Sequence, residues 1–140
     1  MLDVFGDEIF TDHFSDYLLY ELHLAELIQD RFGKTATQVY IGDKPSGTKH
    51  IVDVVAIENK ILISAKLQNS GGTAEEKIPY EQLMLQHACT TYGYEKAYIV
   101  CAGVGWRLLD YYTSDLYKNT ICTPNVELIT YDSFLELLAK

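Results

Sequence analysis

Asp53, Ser64 and Lys66 are the residues whose types and spacing could do chemistry. Lys66 lies in the apolar run ILISAKL (residues 61–67), and Asp53 interrupts HIVDVVAI (residues 50–57) between Val52 and Val54. A charge buried alone is costly, so each needs a partner or a task. Side chains two apart on a strand share a face, which puts Ser64 and Lys66 together. In the plainer reading, Asp53 and Lys66 form a structural ion pair across adjacent strands. In the other, they serve metal-assisted hydrolysis of phosphodiesters. That chemistry needs acidic oxygens to hold Mg2+, and a lysine to orient or help deprotonate the attacking water and steady the developing charge.

The elements that must position these residues follow from periodicity and turn signals. SDYLLYELHLAELIQDRFG predicts a helix with Ser15 as N-cap and Gly33 as its stop, its apolar stripe running through Leu18, Leu22, Ala25, Ile28 and Phe32. TQVYIG is a strand ended by the turn-rich GDKPSGTK. HIVDVVAI and KILISAKL, joined by ENK, read as an antiparallel hairpin. After the loop NSGGT, AEEKIPYEQLMLQHACTTYG predicts a second helix with Pro79 near its first turn. KAYIVCAG is a strand, WRLLDYYTSDLYKN a helix, NVELITY a strand and DSFLELLAK a last helix. This order predicts an α/β (α+β) domain: a central mixed sheet with helices on both faces.

The 140 residues suit one domain spanning the whole chain. No stretch approaches the roughly 20 apolar residues of a membrane span, and MLDVFGDEIFTD lacks the regions of a signal peptide. Three cysteines without a CxxC pair argue against a disulfide framework or metal knuckle, and make a reducing, cytoplasmic setting the expectation. The histidines show no zinc-ligand spacing. A net charge of −9 argues against a general nucleic-acid binder. The lysines are uneven, however: residues 1–30 carry no Lys or Arg, while Lys44, Lys49, Lys60, Lys66 and Lys77 gather in the middle of the chain.

The layout α-β-β-β-α-β with VDVVAIENKILISAKLQ resembles the PD-(D/E)xK nuclease superfamily, the restriction endonuclease-like fold shared by junction resolvases. GGTAEEKIPYEQ is similar to the segment that follows the lysine strand in restriction-type members, and YIVCAGVGW to a later strand and Gly-x-Gly-Trp segment. The resemblance covers roughly residues 15–110. It implies a metal-dependent endodeoxyribonuclease, with Mg2+ (or Mn2+) as cofactor, DNA as partner and a homodimer or higher symmetric oligomer as the assembly that cuts both strands. Asp53 would bind the metal with the carbonyl of Ala65, Lys66 would position the water, and Lys77 would support the phosphate.

Ser64 departs from the pattern, because it stands where the family has its second acid. Three explanations are open. In the first, the carboxylate has moved to the next helix, as in one branch of tetrameric restriction enzymes, where Glu81 or Glu76 could serve and Glu81 better fits the spacing. In the second, serine replaces a natural glutamate to stop cleavage. In the third, the chain is a non-catalytic relative that still binds nucleic acid or protein. The intact GTAEEKIP segment ranks substitution or loss above migration. Glu21 is a candidate helix-borne metal ligand, or else an edge carboxylate paired with a lysine. Gln68, Gln82 and Lys49, the last in the loop of residues 42–50, are candidate substrate contacts; Gln68 and Gln82 also read as ordinary polar surface. Trp106 and the tyrosines suit the core better than base stacking.

Overall fold

The computed structural model describes residues 16–72 and 74–140, so that Ser15 and Thr73 of the signature segment lie outside the described residues. The chain runs α1 (Tyr17–Phe32), β1 (Thr35–Asp43), β2 (Lys49–Ala56), β3 (Ile61–Leu67), a 3-10 turn (Ala74–Lys77), α2 (Ile78–Tyr92) and β4 (Lys96–Ala102). It continues through α3 (Leu109–Tyr112), α4 (Asp115–Ile121), β5 (Val126–Thr130) and α5 (Tyr131–Leu138). One mixed sheet has the order β1-β2-β3-β4-β5. Strands β1 to β3 pair antiparallel, and β3 to β5 pair parallel. This is the α+β arrangement, a central mixed sheet with helices on both faces, that the sequence predicts. Among the described residues no helix is long and apolar enough to cross a membrane.

Strand alternation divides the core in two. On one face Val55, Leu62, Ile99 and Leu128 meet Ile78, Leu85 and Ala88 of α2 and Tyr112 and Tyr117 of the short helices. On the other, Val54, Ile63, Ala65 and Val100 meet Tyr20, Leu24 and Ile28 of α1 and Tyr131 and Phe134 of α5. Leu24 and Ile28 are fully buried, which contributes roughly 1.5–3 kcal/mol each.

Three local readings need correction. Helix α1 buries Tyr20, Glu21, Leu24 and Ile28, while Leu18 and Leu22 of the predicted stripe are exposed. Leucines lie all round this helix, so spacing alone leaves its rotation undetermined. WRLLDYYTSDLYKN forms two helices, because Ser114 leaves helical geometry to accept the Tyr117 amide as N-cap of α4. Helix α2 starts at Ile78, with Pro79 in its first turn, and residues 74–77 tighten into the 3-10 turn before it.

Candidate active site

The site forms where β2 and β3 separate. Their ladder has the pairs Val54–Ile63, Val55–Leu62 and Ala56–Ile61 and goes no further, while β3 stays paired with β4 to Leu67–Ala102. The backbone amide of Ala65 still needs an acceptor. It donates to Asp53 Oδ2 at 2.8 Å, so a carboxylate takes the place of a rung in the ladder. Alternation also slips at Asp53, since Val52 and Val55 face the α2 side of the sheet and Val54 and Ala56 the α1 side.

Leu62 faces α2, so Ser64 and Lys66, two and four residues on, face it too. Helix α2 meets them with Glu81. Lys66 Nζ lies 2.7 Å from Glu81 Oε2, and the Ser64 hydroxyl donates to Glu81 Oε1 at 2.9 Å. A single carboxylate is thus held by both residues of the Ser-x-Lys pair. Lys66 and Glu81 are partly exposed (30% and 23%), so water screens the pair and its role is positional more than stabilising. Among the described residues no salt bridge joins Asp53 to Lys66, which removes the structural ion pair between them. Glu76, the other migration candidate, is exposed in the 3-10 turn.

On the α1 side Asp53 sits in a second polar group. Tyr17 donates to Asp53 Oδ2 at 3.2 Å, and Gln38 Nε2 lies 3.3 Å from Asp53 Oδ1 and 2.6 Å from Glu21 Oε1. Burial and the charge of Asp53 push the Tyr17 phenol well above its ordinary range. Burial likewise raises the Glu21 carboxyl, an effect that the Gln38 amide opposes. Glu21 is buried, and its Oε2 has no hydrogen-bond partner among the described residues. Gln38 has φ 50°, the left-handed region, inside a strand. That conformation costs an L-residue about 1–2 kcal/mol.

A groove of about 210 Å3 continues from Lys66 and Glu81 past Lys77, Tyr80 and Met84 to Lys44, His50 and Ile51 of the β1–β2 hairpin. Three lysines line it in a chain of net charge −9, with Lys44 resting 5.5 Å above the Tyr80 ring. Burial, then Lys44, lowers the His50 pKa.

The structure does not bring every predicted contact to this groove. Gln68 is buried, and its amide donates to the Gly105 carbonyl at 2.8 Å and lies 3.4 Å from Glu75. Gln82 is buried behind α2, bonded to Tyr117 and Thr123. Lys49 is exposed, 5.6 Å above the Tyr40 ring. The two signature segments instead clamp each other. Glu75 accepts the amides of Arg107 and Leu108 at 2.9 and 2.7 Å, which pull its pKa down against the effect of burial. A Cβ at Gly103 or Gly105 would overlap the backbone of Gln68 or Ser70. Trp106 donates to the Ala102 carbonyl at 2.7 Å, so the Gly-x-Gly-Trp turn is a packing device.

Sequence reasoning missed Tyr17, Gln38, His50 and Glu75. Tyr17 was findable, since it stands one helical turn from Glu21. Gln38 faces Asp53 only through the register of β1 on β2, which the turn between them sets.

A profile of the PD-(D/E)XK nuclease superfamily domain matches residues 6–137. The chain belongs to the PD-(D/E)XK nuclease superfamily. No curated protein and no solved structure gives a significant match. Members of this superfamily typically use divalent metals, so the donor set can be tested against such an ion. Among the described residues no three His, Cys, Asp or Glu side chains come together to hold one. Mg2+ does not require that, because it takes one or two carboxylates and fills its shell with waters and substrate phosphates. Asp53 at the strand gap and the orphaned, buried oxygen of Glu21 fit such an ion.

Proposed function

We propose that this PD-(D/E)XK protein is a metal-dependent endodeoxyribonuclease in which Glu81 replaces the acid absent at position 64. The observation that carries the reading is the double hold of Ser64 and Lys66 on the Glu81 carboxylate. Helix α2 supplies to the Ser-x-Lys strand the charge that an acid at position 64 would otherwise supply. The sequence ranks substitution or loss before migration; this contact supports migration instead.

Asp53 and the Ala65 carbonyl would hold Mg2+ or Mn2+, with Glu21 and Glu81 completing its shell directly or through water; the ion would supply charge on the scissile phosphate and acidify a bound water. The Ala65 amide fixes the rotamer of Asp53. Lys66 holds the attacking water and its developing charge, with Glu81 setting the ammonium position. Lys77 and Lys44, on the groove leading away from Lys66, take flanking phosphates. Cutting both strands of a duplex calls for two copies of the chain.

The second reading, a non-catalytic binding module, is favoured by the lack of a three-carboxylate cluster among the described residues. Plasmid DNA incubated with Mg2+ or Mn2+ separates the two. The nuclease reading expects nicking or linearisation that Lys66→Ala lowers at least about 100-fold. Binding without any cleavage, unchanged by Lys66→Ala, supports the module.

A further inference from the structure

We infer that Gln38 is a positioning residue that spaces Glu21 and Asp53 for a divalent cation. The inference rests on the nuclease reading above and adds a residue to it. Gln38 occupies the missing rung of the β1–β2 ladder, between the pairs Thr37–Val54 and Val39–Val52. At that rung its backbone adopts φ 50°. Strain at a non-glycine residue persists where its surroundings fix it, and such positions concentrate at functional sites.

The strained turn delivers one side-chain amide to two carboxylates, at 2.6 Å to Glu21 Oε1 and 3.3 Å to Asp53 Oδ1. Both acceptors are acidic oxygens, which fixes the amide with its NH2 toward them. Gln38 thus stands between two groups from different elements, α1 and β2, that would otherwise repel. Glu21 keeps a second oxygen, Oε2, that is buried and has no partner among the described residues, so the hold on Oε1 leaves one oxygen for an ion. Tyr17 and the Ala65 amide hold the other oxygen of Asp53, whereas Gln38 reaches both carboxylates.

The test is Mn2+ titration of the folded protein, read from the EPR signal of free Mn2+, so that it needs no cleavage. Gln38→Met keeps the length and removes the amide, while Gln38→Gly removes the amide and relieves the backbone. Both are expected to weaken Mn2+ binding about 10-fold or more, the usual cost of losing a group that orients a metal ligand. Gln38→Asn, which tolerates the left-handed backbone and restores a shorter amide, is expected to recover part of the loss. Unchanged Mn2+ affinity in either Gln38→Met or Gln38→Gly overturns the role of Gln38 and leaves the nuclease reading standing. A wild-type protein that binds no Mn2+ overturns both. Should Gln38→Met not fold, Gln38→Gly and Gln38→Asn decide the matter.

Discussion

Ser64 and Lys66 both meet a carboxylate from outside their own strand, Glu81, and His50 lies along the groove that leads away from them. His50 is 5% exposed at the groove edge, where burial and then Lys44 hold its pKa below the ordinary value of about 6.5. A histidine with a depressed folded pKa stabilises the fold above its unfolded pKa, and that stability is lost as pH falls, because the unfolded chain takes up the proton first. Urea melts at pH 7.5 and 5.5 are expected to show a loss for the wild type that His50→Gln reduces. An equal loss in both would remove His50 as a cause. At this scale Asp53 and Lys66 were legible, because charges inside apolar runs stand out. Gln68 and Gln82 were not, since a polar residue clamping backbone and one lining a cleft look alike in sequence.

Hairpin β2–β3 and the crossover through α2 could be read from β-branched runs and turn residues, and they fix where Asp53 and Lys66 stand. The face that α1 buries could not, since Tyr17, Leu18, Leu19, Tyr20, Leu22 and Leu24 offer apolar groups in nearly every direction. Tertiary contact with β2 and β3 decided it. The turn after β4 is the most constrained connection. Gly103 has φ 97°, the Gly105 amide donates to the Gln68 carbonyl, and a Cβ at position 103 would meet that same backbone, which cannot move aside cheaply. Gly103→Ala is expected to destabilise the protein by about 2–4 kcal/mol, read from the denaturation midpoint at unchanged slope. A change under about 0.5 kcal/mol would show that the two signature segments do not depend on this close approach.

Across the whole molecule, the candidate site is assembled from five elements. Helix α1 brings Tyr17 and Glu21, β1 and β2 bring Gln38 and Asp53, β3 brings Ser64 and Lys66, and α2 brings Glu81. The splitting of β2 from β3 lets the groups on opposite faces of the sheet approach one gap. Such convergence depends on register and helix rotation, which is why the chain's family was readable while the contact of Glu81 with Ser64 and Lys66 was one alternative among several. The measurement that tests this assembly most directly is single-turnover DNA cleavage in Mg2+ by the wild type, Glu81→Gln, and Glu81→Gln combined with Ser64→Glu. The account predicts a loss of about 100-fold or more in Glu81→Gln and recovery to within about tenfold of wild type when Ser64→Glu is added. Wild-type rates in Glu81→Gln would contradict it.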